Sequence, residues 1–298
     1  SLSVPEQRAE AFAHLLGNRT IYLGTDELIV GEKGPFPKAV PTYPELCCHT
    51  MEDLRILNSR EKIPYRVSSD VLKDHRDRII PFWQGKSMRE RILSSMEPVW
   101  LEAYREGMFT EFMEQRSPGH TVLDGKIYTS GLEDFIERAE NHLKTAIEEE
   151  KRCELRAMIT SMKALIGFAE RHGEEALAMA DGEMNPQRAE ELRTIARTCF
   201  QVPRKAPRTF REALQYYWFV HLGVTQELNP WDSFCPGKLD QHLYPFYSRE
   251  LEQGTLAREE AEELLHCFWI KFNNQPAPPK VGVTAAESST YTDFSQIN

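Results

Sequence analysis

The sequence is short of positive charge. Its 36 Lys and Arg face 46 Asp and Glu, a net charge of −10 with His neutral. That balance excludes a general phosphate-backbone binder, which needs a basic surface, though it leaves room for a local basic patch. Long apolar runs are also missing. The strongest, YYWFV at 216–220, falls far below the roughly 18 residues that a membrane helix requires. The opening SLSVPEQRAEAF has neither a basic n-region nor an apolar h-region, so no signal peptide and a cytoplasmic location are expected. Ser1 in place of an initiator Met points to a processed or engineered start. No two of the six cysteines form a C-x-x-C pair, and Cys47 and Cys48 are adjacent, which is poor geometry for a shared metal. The cysteines read as reduced, mostly buried thiols, and no metal site is expected. G-x-G-x-x-G, the Walker loop, G-x-S-x-G and H-E-x-x-H are all absent, so dinucleotide, P-loop, serine-hydrolase and zincin readings lose their usual support.

What is present is a globular, helix-rich chain. Apolar residues make up 41% and charged residues 28%, which excludes wholesale disorder. A chain of this size buries roughly 75% of its unfolded surface, so it needs no staple. Residues 5–17 carry Ala9, Phe12, Ala13, Leu15 and Leu16 on one broad stripe, the mark of a helix. The segment 26–46 reads as a strand-like apolar run leading into a long Pro- and Gly-rich loop. Short helices are expected at 49–57, 69–78, 86–95 and 98–107. A helical block follows from 131 to 200. Ser130 and Glu133 have capping-box spacing, and Phe135, Ile136, Ala139, Leu143, Ala146 and Ile147 repeat behind them. A second long helix covers 150–181. Asn185-Pro186 starts a third that ends near Cys199. VPRKAP at 202–207 breaks the pattern, and Thr209 with Glu212 caps a helix apolar nearly all round. Helices at 238–252 and 256–272 and a terminal strand at 287–298 complete the expected order, with a soft boundary near 205.

Three loops carry candidate chemistry. His120 follows Pro118-Gly119, where it fits an acid, a base or a hydrogen-bond donor, or equally a surface or capping histidine. ELNPWDSFCPG at 227–237 sets Asp232 beside Trp231 and Phe234. An acid among aromatics suits a substrate ammonium, or it caps the next helix. Alternation along ESSTYTDF puts Ser288, Thr290, Thr292 and Phe294 on one side of a strand and Ser289, Tyr291 and Asp293 on the other. The hydroxyls can meet a carboxylate, or form a solvated face. Cys235 has no paired base, which argues against a nucleophile.

Read in order, these segments resemble the glycyl radical enzymes, the family of pyruvate formate-lyase, glycerol dehydratase and choline trimethylamine-lyase. DELIVGEKG (26–34) and CPGKLDQHLYPFY (235–247) are similar to its general signatures. PTYPELCCHTMEDL (41–54), GMFTEFMEQRSPGHT (107–121), YWFVHLGVTQELNPWDSF (217–234) and FNNQPAPPKVGVTAAESSTYTDF (272–294) resemble the branch that dehydrates trans-4-hydroxy-L-proline to 1-pyrroline-5-carboxylate. The resemblance runs along essentially the whole chain.

It implies a ten-stranded α/β barrel wrapped by helices. Residues 1–205 would be the helical wrapping, and 206–298 the first helices and strand of one barrel half, so this chain is mainly α. It also implies that Asp232 pairs with the ring ammonium and His120 bonds the leaving hydroxyl. Ser288 would meet the carboxylate, with Ser289 as the register alternative, and Phe294 and Trp231 would line the substrate. The family's Cys loop and C-terminal radical Gly have no counterpart in this sequence. An N-terminal fragment, inactive alone and binding no cofactor itself, is therefore expected, with the glycyl radical in the remaining part. Lys238 stands where the family commonly has Arg, which keeps the charge but loses the bidentate fork. The implied partners are an amino-acid-like substrate, a radical S-adenosylmethionine activating enzyme and a second copy in a homodimer, with no nucleic acid and no membrane. Other glycyl radical reactions remain as alternatives (diol dehydration, choline-lyase-like cleavage, formate acetyl transfer). So does a non-catalytic binding or assembly module if the native chain ends at Asn298.

Overall fold

The computed structural model describes residues 2–39, 42–61, 64–108, 124–227 and 236–274. Among them there is no β-strand, and the elements are helices joined by irregular loops. α1 (Val4–Asn18) starts from a true capping box, in which Ser3 Oγ accepts from Glu6 N–H and the Glu6 carboxylate accepts from Ser3 N–H. It buries Ala9, Phe12 and Leu16, one residue per turn on the expected stripe. The described residues of 19–50 form no helix. α2 (Met51–Ser59), capped by Thr50 and Asp53, follows. α3 (Ser69–Asp74) passes through a π turn at His75–Ile79 into α4 (Ile80–Trp83), and then come α5 (Met88–Ser95) and α6 (Pro98–Arg105).

The main body is built on α7 (Leu132–Thr145), α8 (Glu149–Gly182) and α9 (Pro186–Gln201). α8 has 34 residues, about 51 Å at 1.5 Å per residue. α1, α7 and α9 all pack along it. α10 (Phe210–Glu227) joins this layer to α11 (Leu239–Gln253) and α12 (Arg258–Asn273). Its Tyr216, Tyr217, Trp218 and Phe219 are all buried. A helix apolar all round must be enclosed on every side, and α10 is the centre of the core. One apolar cluster runs from Phe12 through Phe168, Leu192 and Trp218 to Phe268 and Phe272, crossing residue 205 without a break.

Three expectations shift in detail. α7 is capped at Gly131, one residue later than Ser130, and Gly131 N–H donates to Asp134 Oδ2 at 2.8 Å. The carbonyls of Pro203 and Arg204 take the N–H groups of Leu132 and Glu133 at 2.8 and 3.0 Å, and Glu133 pairs with Arg204 instead of capping. α7 then ends at Thr145, so Ala146 and Ile147 leave its stripe and Ile147 is 95% exposed. Arg152 Nη1 donates to the Leu143 and Ala146 carbonyls at 3.1 and 3.2 Å, satisfying the helix end and turning the chain into α8. At α10, Thr209 Oγ1 accepts from Glu212 N–H at 3.1 Å, but Glu212 Oε2 accepts from Arg208 N–H at 2.6 Å. The reciprocal half of that box has moved back by one residue. Asn185 caps α9 as expected, accepting from Gln187 and Arg188 N–H at 2.9 and 3.3 Å. The strand expected at 287–298 lies outside the described residues.

Candidate functional site

The run Leu28-Ile29-Val30, expected to be strand-like, is fully enclosed yet pairs with no strand. A buried loop must find partners for its backbone polar groups. Here side chains supply them. Gln215 of α10 donates Nε2–H to the Val30 carbonyl at 2.8 Å and accepts Val30 N–H on Oε1 at 2.9 Å. One side-chain amide thus does what a neighbouring strand would. Trp218 Nε1–H donates to Gly31 O at 2.9 Å, Arg188 reaches the Gly24 and Glu27 carbonyls, and Arg211 reaches Leu28 O. Gly31 sits at φ +109°, and an added Cβ would lie 2.7 Å from Leu222 Cδ1, so glycine is required there.

The same loop meets a buried ionic cluster. Lys271, near the end of α12 and 2% exposed, places Nζ 2.6 Å from Glu27 Oε1 and 2.8 Å from Glu32 Oε1. Asn274 Nδ2 lies 3.4 Å from Glu32 Oε1, and Asn274 O accepts Lys38 N–H at 2.8 Å. Glu32 Oε2 is buried with no hydrogen-bond partner. Burial pushes the Glu32 carboxyl above the usual carboxylate range, against the pull of Lys271. Arg19 donates to the carbonyls of Glu32 and Lys33, and through Nη1 to Gln226 Oε1 at 3.0 Å, on the last turn of α10. Burial lowers the Arg19 guanidinium to about 10, so it stays charged at neutral pH. Tyr43 Oη donates to Thr225 O at 3.0 Å, tying a further stretch of loop to the same turn.

The residues expected to touch substrate all lie outside the described residues: His120, Trp231, Asp232, Ser288, Ser289 and Phe294. Cys235 does too. The described structure instead fixes the ends of the segments that carry them. The end of α10, before 228–235, and the end of α12, before 275–298, meet at loop 24–39 through Arg19 and Lys271. On the other side, Asp124 and Tyr128, just after 109–123, rest on α11. Tyr128 stacks on His242 with ring centroids 5.0 Å apart, and His242 Nε2 lies 3.9 Å from Asp124 Oδ1. α11 itself begins just after 228–235, behind Gly237 at φ +70°. Lys238 is exposed at its start.

Sequence reasoning missed this polar scaffold. A Lys inside FWIKFN and acids flanking LIV were the available signals, but pairing them takes contacts more than 200 residues apart. Among the described residues no group of three or more His, Cys, Asp or Glu is arranged to hold a metal ion. No described helix is long and apolar enough to cross a membrane.

Comparison with known proteins agrees with the scaffold. The family model for pyruvate formate lyase-like proteins matches residues 1–298. The trans-4-hydroxy-L-proline dehydratase of Clostridioides difficile is 50% identical over 304 aligned residues, covering 100% of this chain and 38% of that enzyme. The isethionate sulfite-lyase of Nitratidesulfovibrio vulgaris is 30% identical, covering 90% of this chain and 34% of that enzyme. The crystal structure of the C. difficile hydroxyproline dehydratase with trans-4-hydroxy-L-proline bound superposes with a TM-score of 0.90, over 100% of this chain and 38% of that one. The chain thus spans just over a third of the length of the relatives it matches. A match that runs the full length of the sequence, carried on the same helical scaffold, makes this chain a member of the pyruvate formate lyase-like family.

Proposed function

We propose that this chain is the N-terminal part of a glycyl radical dehydratase that eliminates water from trans-4-hydroxy-L-proline to give 1-pyrroline-5-carboxylate. The carrying observation is the 50% identity to the hydroxyproline enzyme over the whole chain. Identity to the isethionate enzyme is 30%, and the two act on chemically unlike substrates.

The radical, carried by residues beyond those present here, supplies hydrogen-atom abstraction. This chain's residues hold and orient the substrate. Asp232 pairs with the ring ammonium, a charge-assisted contact that fixes the ring. His120 hydrogen-bonds the 4-hydroxyl and delivers a proton to the departing oxygen. Ser288 meets the carboxylate, with Ser289 as the register alternative, and Phe294 and Trp231 pack on the ring. Holding ammonium and carboxylate together keeps the reacting carbon in one orientation. The full-length protein works as a homodimer in the cytoplasm and is charged by a radical S-adenosylmethionine activating enzyme.

The test uses the full-length enzyme, activated without oxygen, on hydroxyproline, isethionate, glycerol and choline. Hydroxyproline alone should give product, and Asp232→Ala and His120→Ala should each lose it by roughly 100-fold or more. Turnover of another of these substrates but not hydroxyproline, or wild-type turnover in either variant, rejects the reading.

A further inference from the structure

We propose that the apolar stripe of α6 is a docking surface for the part of the polypeptide that follows residue 298. The proposal rests on the reading above that this chain is the N-terminal part of a longer enzyme. α6 (Pro98–Arg105) is amphipathic. Val99, Trp100, Ala103 and Tyr104 fall on one side at i, i+3 and i+4 spacing, and Glu102 and Arg105 fall on the other. Such a stripe normally turns inward, as that of α1 does when it buries Ala9, Phe12 and Leu16. α6 buries none of its residues, and neither does α5, on which it rests. Among the described residues, neither apolar cluster includes a side chain of α5 or α6. Val99 is 63% exposed, Trp100 57%, and Met108, just after the helix, 79%.

A helix of 8 residues does not hold in water on propensity alone, and packing of its apolar side is what stabilises it. Polar contacts fix where the stripe sits. Arg89 of α5 donates to Tyr104 Oη at 2.8 Å. The carbonyls of Glu45 and Leu46 accept the N–H groups of Met88 and Arg89 at 2.9 and 3.0 Å, which ties α5 to the loop before α2. These contacts place α6 and still leave Val99 and Trp100 more than half exposed.

The size of the stripe selects its occupant. Val99, Trp100 and Met108 together present on the order of 400 Å². A stable complex between separate chains buries about 800 Å² on each partner. A second copy held here alone would fall short once its free translation and rotation are lost. A segment of the same polypeptide escapes most of that loss, because covalent linkage makes the contact intramolecular. Chain is available for it: the match covers 38% of the C. difficile enzyme, so more than three-fifths of that enzyme's length lies outside it. The occupant is therefore a later segment of the same chain that turns apolar side chains toward Val99 and Trp100.

The experiment uses the full-length protein with p-benzoyl-phenylalanine in place of Val99 or of Trp100. Irradiation should give a crosslinked product of single-chain mass whose partner peptides lie beyond residue 298. A product of dimer mass would mean that a second copy covers the stripe. Partner peptides confined to residues 1–298 would mean that this part of the chain covers itself, and no crosslink would mean that water does. Each of these three overturns the proposal. If the probe variants do not fold, hydroxyl-radical footprinting of the unmodified full-length protein decides it. Trp100 should be labelled roughly tenfold more slowly than in urea, at every concentration through dissociation of the dimer. Labelling as fast as in urea, or protection lost on dilution, overturns the proposal. The intact mass of the native protein separates the two readings. A native chain that ends at residue 298 rejects the functional reading and the docking surface together. A longer chain that fails the crosslinking test overturns the docking surface alone.

Discussion

Four buried imidazoles, His49, His75, His172 and His221, make the fold sensitive to mild acid, and His172 offers the cleanest test. It is 1% exposed on α8, with its ring edge-on to Phe168 and tilted against Phe219. Burial first, then the nearby Lys271, Arg19 and Arg171, lower it to about 3. Burial, with Lys33 close by, lowers His221 to about 3, and burial lowers His49 to about 4. In the unfolded chain each titrates near 6.5. The unfolded state therefore binds more protons below that value, and stability falls with pH. It is fully present above about 6.5 and is lost progressively down toward the folded values. At about pH 5.5 His49, His172 and His221 each cost about 1.4 kcal/mol, together about 4 kcal/mol. The raised carboxyls of Glu32 and Glu250 act in the opposite direction and offset part of this.

A difference between two proteins removes that offset. His172→Phe keeps an aromatic ring between Phe168 and Phe219 and leaves Phe168 O its helical N–H partner. Its absolute stability can move either way by overpacking. Its pH slope is the readout. Urea denaturation at about pH 6 and about pH 5 should show wild type losing about 1.2 kcal/mol more than the variant over that interval. Parallel loss in the two proteins would refute the reasoning, because it would mean that His172 titrates alike in the folded and unfolded states.

Two further perturbations test the loop that frames the candidate site. Gln215→Leu leaves the buried N–H and carbonyl of Val30 without their amide partner and should cost about 2–4 kcal/mol in chemical denaturation; a loss under about 0.5 kcal/mol would contradict the strand-mimic role. Gly31→Ala forces a Cβ at φ +109° against Leu222 and should cost about 2–4 kcal/mol, whereas Gly167→Ala on α8, where nothing lies within 4 Å, should add about 0.5–1 kcal/mol. Melting curves that rank the two alanines the other way would refute the strain argument.

Helices were legible wherever one segment's pattern answered its own question. Asn185-Pro186 capped α9 because a side-chain amide reaches its own next turn without tertiary help. The aromatic run of α10 told of its burial because a helix apolar on all sides has no face for water. Ser130 failed as a cap because the choice between it and Gly131 was made by the carbonyls of residues 203 and 204, which the local sequence does not contain. Ile147 failed for the same kind of reason, as Arg152 ended α7 early. The apolar run 28–30 was expected to be strand-like, but it is a buried loop that pairs with no strand. Its extended partner, a single glutamine on α10, has no sequence signature.

The sequence by itself determined the helical class, the acidic surface and the kinship to a radical-enzyme family, because composition, periodicity and long ordered matches are properties of the chain alone. Tertiary structure decided what holds the ends of α10 and α12 together. Lys271, Glu27 and Glu32 look like ordinary surface charges in the sequence. They become a buried clamp only when α12 packs beside the first loop, because ion pairing depends on distance in space and on the exclusion of water.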